Sequence, residues 1–155
     1  MSFNTEQFRD LNERVLSYIG KYSIEAVNLL LGTCAIESRF GTYLKQVKGP
    51  ALGVFQIEPA TLIDCWENYL VYHDELSYHI KQVCGVGESD VFACESNLAY
   101  QICIARVIYL RKPGKIPVEI EKQAEYWKKF YNTELGKGEV DKYIKSYNRY
   151  VMEIG

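Results

Sequence analysis

Apolar residues return every three or four positions along most of this chain, which is the period of helices that bury one face. Phe8, Leu11, Val15 and Tyr18 mark a first helix over about Thr5 to Ile19, and the Gly20 to Ser23 connection leads to a second stripe of Val27, Leu30, Leu31 and Cys34. Ser23 can cap this second helix, Glu25 suits the positive end of its dipole, and Gly41 offers a C-terminal stop. Pro59 fits the first position of a further helix carrying Leu62, Trp66, Tyr69 and Leu70. A shorter helix follows over about Glu75 to Cys84, closed by Gly85-Val86-Gly87. Asn97 to Arg111 is apolar nearly all round and is expected to be the central buried helix, ended by Pro113-Gly114. Pro117 opens another helix with Ile120, Ala124, Trp127 and Tyr131 in line, and Val140, Ile144, Tyr147 and Val151 define the last. The expected fold class is all-α, α+β at most through a minimal β segment.

One position breaks the pattern. Glu37 stands three residues after Cys34 and seven after Leu30, on the face that should be core. In a last helical turn, partial burial and the negative end of the dipole both disfavour the ionised carboxylate, as a general acid requires. Arg39 is close in sequence and offers the alternative of an ordinary ion pair.

The helices are interrupted by GTYLKQVKGPALGVFQIEPAT, residues 41 to 61, and long ordered loops on helical scaffolds often carry function. Gly49-Pro50 marks a turn and Gly53 permits a close backbone approach. Val54-Phe55-Gln56-Ile57 alternates like a short extended segment, with Gln56 facing away from Phe55 and Ile57. The 155 residues suffice for one domain over 1–155. A 48% hydrophobic content excludes a disordered chain, and a net charge of -2 without a basic stripe argues against nucleic acid. No apolar run reaches membrane-spanning length, so membrane insertion is not expected. The start, MSFNTEQFRDLNERV, lacks the basic and apolar regions of a secretory signal, so synthesis and folding in a cytoplasm are expected. The five cysteines read as buried free thiols. Cys65, His73, His79 and Cys84 fit no common zinc-ligand spacing, and neither a metal nor an organic cofactor is implied. Of the thirteen tyrosines, Tyr18, Tyr69, Tyr109 and Tyr147 fall on apolar stripes as core or boundary residues.

Glu37-Ser38 at a helix end, followed by Gly53-Val54-Phe55-Gln56-Ile57-Glu58-Pro59-Ala60-Thr61, resembles the soluble lytic transglycosylase family of the lysozyme-like superfamily. Asn97 to Leu110, with Arg106 and a terminal Tyr109-Leu110, is similar to that family's buried helix, and Tyr131-Asn132 stands where the family has Ala-Tyr-Asn-Ala-Gly. Together these motifs cover about residues 24 to 145. The resemblance implies a lysozyme-like helical fold around a substrate groove and cleavage of peptidoglycan between N-acetylmuramic acid and N-acetylglucosamine. It implies Glu37 as the catalytic acid and then base, and Ser38, Phe55, Gln56, Tyr131 and Asn132 as substrate-binding residues. The chain departs from the family at Val47, where a serine is usual, at Pro50-Ala51 in place of Gly-Ala, and around Phe130 to Glu134, which keep only Tyr-Asn.

Glycoside hydrolases normally place a second carboxylate across the bond, yet residues 38 to 57 contain no Asp or Glu. Glu58 is the first candidate, suited equally to the start of a helix, and Glu95, Glu134 and Glu139 are others. A site with one acid resembles the transglycosylases, in which the muramic acid's own hydroxyl attacks to give a 1,6-anhydro end. The expectation is a monomeric bacteriophage endolysin or virion-associated lysin, carried to the cell wall in the periplasm by a holin-dependent route or the virion, with glycan strands as partner. A lysozyme-type hydrolase and an inactive glycan-binding protein are the alternatives.

Overall fold

The computed structural model describes residues 2–132 and 138–153. Asn4 opens α1 (Thr5–Tyr18), its side chain accepting the Gln7 backbone N–H at 3.0 Å. Ser23 does the same for α2 (Ile24–Ser38), accepting from Ala26 N at 3.0 Å, so each helix begins on a side chain that satisfies an otherwise orphaned amide. Pro59 stands at the first position of α3 (Pro59–Asn68). After a single 3₁₀ turn (Leu70–Tyr72) comes α4 (Asp74–Cys84), stopped by Gly85 at φ +76°. The short α5 (Ala93–Ser96) leads directly into α6 (Leu98–Leu110), capped by Asn97. The remaining helices are α7 (Ile120–Phe130) and α8 (Gly138–Ser146), and α8 runs on into a π-type turn (Tyr147–Val151) closed by Met152 N–H on Tyr147 O at 3.1 Å.

The chain is mostly helical and, among the described residues, contains no strand. α6 is central, as its all-round apolarity requires, with α1, α2, α3, α4 and α5 packed around it. α7 and α8 pack on each other and on α2. The buried side chains form one cluster in which α2 and α6 contribute most of their length. Tyr143 of α8 lies so close over Gly32 of α2 that any larger residue there would strike its ring, and its hydroxyl donates to Leu29 O at 3.4 Å.

Three local expectations need correction. α2 stops at Arg39 rather than Gly41, because Arg39 (φ 51°), Phe40 (φ 56°) and Gly41 (φ 85°) are all left-handed. Phe40 is held in that uncommon conformation by burial against Phe3, Phe8 and Tyr150. α7 begins at Ile120 and not at Pro117, whose carbonyl is taken by the buried Gln123 side chain at 2.8 Å. Residues 54 to 57 do not alternate as an extended segment. Leu52 and Ile57 exchange both backbone hydrogen bonds, 2.8 and 2.9 Å, around a four-residue loop in which Gly53 (φ 73°) and Gln56 (φ 52°) are left-handed. The curl turns Val54 and Phe55 inward together, where a strand would place them on opposite faces.

Candidate active site

The tight loop is fixed from below by α6. Gln101, 2% exposed, accepts Val54 N–H through Oε1 at 2.9 Å and donates through Nε2 to Glu95 O at 3.1 Å. A Cβ on Gly53 would run into Cys94 O and this same Gln101 Oε1, so glycine is required there for closeness as well as for its φ. From the other side, the Tyr131 hydroxyl donates to Phe55 O at 2.6 Å, while its ring stacks on Tyr109 with centroids 5.2 Å apart. Burial, with the nearby Glu37 adding to it, pushes the Tyr131 hydroxyl well above its ordinary pKa, so it remains a donor at physiological pH.

Glu37 emerges half-buried from the last turn of α2, and the Trp127 indole N–H of α7 donates to its Oε2 at 3.0 Å. Trp127 is itself fully buried and packed on Tyr143, so the donor cannot swing away. α2 brings the acid, α7 orients it, and the 52–57 turn stands beside it. These elements border a cavity of about 570 Å³ whose lining includes Glu37, Gln56, Tyr131 and Asn132. Gln56 reaches it from the left-handed end of the turn, its amide tied back to Gly53 O at 2.9 Å. Of the four non-glycine residues with positive φ among the described residues, Arg39 and Phe40 lie two and three positions after Glu37, and Gln56 lies in the turn on the opposite wall.

Two expected substrate contacts are not in the lining. Ser38 is fully buried, its Oγ donating to Cys34 O at 3.1 Å and accepting Gly41 N–H at 3.0 Å, so it finishes the helix rather than facing a ligand. Phe55 is also fully buried and offers only its backbone carbonyl, to Tyr131. The Phe55 ring packs on Phe8 because the turn points it inward.

Sequence reasoning missed an ion pair in the cavity lining. Asp64 of α3 and Arg111 after α6 form an ion pair of 2.7 Å there, beside Lys112. Hydrogen bonds from Asn68 and Arg111 hold the Asp64 carboxyl below its ordinary pKa. Trp127 was legible only as a stripe residue and Gln101 only as part of an apolar helix, since nothing in one sequence distinguishes a buried donor from filler. Among the described residues, the carboxylates bordering the cavity are Glu37, Glu58 and Asp64. Glu58 makes no side-chain cap to α3 and is exposed. Glu95 and Glu139 do not line the cavity, Glu139 pairing instead with Lys142 at 3.4 Å, and Glu134 lies outside the described residues. No group of His, Cys, Asp and Glu side chains among the described residues could hold a metal ion, and no described helix is long and apolar enough to cross a membrane. Comparisons with protein-family models, curated proteins and solved structures return no match.

Proposed function

We propose that this protein is a peptidoglycan-cleaving enzyme of lysozyme-like fold, acting on the bond between N-acetylmuramic acid and N-acetylglucosamine as a lytic transglycosylase. The observation that carries this reading is a half-buried Glu37 held by the Trp127 indole at the edge of a cavity also bordered by Gln56 and Tyr131. Glu37 as the carboxylic acid protonates the bridging oxygen, and the C1–O bond breaks with its electron pair on that oxygen. The C6 hydroxyl of the same muramic acid attacks C1, and the Glu37 carboxylate takes its proton, which restores the acid. Gln56 and Asn132 supply hydrogen-bonding groups along the glycan, and Tyr131 fixes the wall beside the reacting sugar. The setting that fits this chemistry is a bacteriophage lysin acting on the cell wall.

A hydrolytic variant has one observation in its favour, an exposed second carboxylate, Glu58, in the lining of the same cavity. Asp64 is a poorer base, because its carboxylate is engaged by Arg111 and Asn68. Glu37→Gln separates either enzyme from a binding protein. The variant is expected to solubilise purified sacculi about 100- to 10,000-fold more slowly, as expected for loss of the proton donor, while still folding and co-sedimenting with them. Solubilisation at the unchanged rate would mean that Glu37 is not the acid.

A further inference from the structure

α4 ends on Cys84, and its buried residues Leu76 and Ile80 belong to the core around α6. Across the contact between these helices, the sulfurs of Cys84 and Cys103 stand 3.6 Å apart. Cys103 is fully buried within α6, whereas Cys84 is partly exposed. This asymmetry suits a reactive thiol with a second one behind it. The sulfurs need to approach by about 1.5 Å to reach the ~2.05 Å of a disulfide bond. Cys84 is the last residue of α4, and Gly85, with no atom packed over its Cα, follows it as the left-handed cap.

We propose that Cys84 and Cys103 are a disulfide-forming pair, which thiol–disulfide exchange with a small disulfide such as oxidised glutathione closes into a tie between the end of α4 and α6. Cys84 as thiolate attacks the small disulfide, forming a mixed disulfide and releasing one small thiol. The buried Cys103 Sγ then attacks Cys84 Sγ, its proton passing to the departing small thiolate, which leaves as the second small thiol. Two electrons and two protons pass from the pair to the small disulfide. The hydrogen bond from Cys103 lowers the Cys84 pKa against a weaker opposing effect of burial, and this enlarges the reactive thiolate fraction. In a reducing cytoplasm the pair stays open, and in an oxidising compartment it closes. The inference rests on the geometry of α4 and α6 and does not depend on what the cavity cleaves.

The test treats the full chain with oxidised glutathione, blocks remaining thiols with iodoacetamide, and digests with trypsin and a glutamate-specific protease. Cleavage after Lys81, Glu88, Glu95 and Arg106 places Cys84, Cys94 and Cys103 on three separate fragments, 82–88, 89–95 and 96–106. Fragments 82–88 and 96–106 are expected as one species two hydrogens lighter than their sum, released by dithiothreitol. Closing this loop is expected to raise Tm by roughly 5–10 °C over the reduced chain. Cys84→Ser is expected to lose both the linked species and the Tm difference. Glutathione left on Cys84, a link through Cys94, or iodoacetamide on both thiols after oxidation would overturn the proposal.

Discussion

The Trp127 indole holds the acid in place with a single hydrogen bond from a group that packing keeps rigid. If Glu37 is the proton donor proposed above, removal of this bond should act on the chemical step more than on glycan binding. Trp127→Phe keeps the aromatic packing and deletes the N–H, so kcat is expected to fall about 10- to 100-fold, the size of one lost hydrogen bond to a charged group. KM is expected to stay within about twofold, because binding common to ground and transition states is untouched. A kcat that drops only in proportion to the folded fraction would make Trp127 a packing residue and nothing more. The two residues that resemblance placed on the substrate and geometry places in the interior, Ser38 and Phe55, make the complementary point. Their motif neighbours Glu37 and Gln56 border the cavity, and a side chain's direction at a helix end or in a turn depends on φ values that the sequence does not display.

At the scale of elements, the 52–57 turn is the part of the site with least intrinsic stability, since a four-residue loop with two left-handed positions forms only if its surroundings hold it. Gln101 supplies that hold. Gln101→Leu preserves the volume but leaves Val54 N–H buried and unpaired, at a cost of about 1–3 kcal/mol. The expected readouts are a Tm lower by roughly 3–10 °C and faster amide exchange confined to residues 53–57. Unchanged exchange there would mean that the turn stands without α6. Periodicity foretold α1, α3, α4, α6 and the start of α2 to within a residue or two, because each buries a stripe and carries a capping or proline signal that acts locally. It failed at α5, too short to show a period, at the end of α2, where tertiary burial of Phe40 overrides the glycine signal, and at the turn, where a four-residue alternation was coincidental with a curl. Glu37 was legible for the opposite reason, as a charge where the helix period demanded an apolar residue.

Across the whole molecule, several phenols lie in the interior: Tyr109 and Tyr143 are buried in the core, and burial is the main cause that pushes both hydroxyls well above their ordinary pKa. Unfolding exposes them to water, where they ionise near pH 10. Below that pH both states keep the proton and the contribution is fully present. As pH rises past 10 toward the raised native values, the unfolded state loses protons that the native state keeps, so stability falls. The slope is about 1.4 kcal/mol per tyrosine per pH unit, and urea unfolding at pH 9 and pH 11 measures it. Tyr143→Phe is expected to remove one tyrosine's share of that alkaline decline, about 1.4 kcal/mol per pH unit, while Tyr109, Tyr131 and the other buried phenols keep theirs. A slope identical to the unmodified protein would show that Tyr143 ionises in the native state.

The most direct test of the chemistry is mass spectrometry of the muropeptides that the protein releases from purified peptidoglycan. A transglycosylase with Glu37 as its single acid releases products ending in 1,6-anhydromuramic acid, one water lighter than hydrolysis products. Reducing ends would contradict it and turn attention to Glu58 as a base for water, and no released products would leave a glycan-binding protein in place of an enzyme.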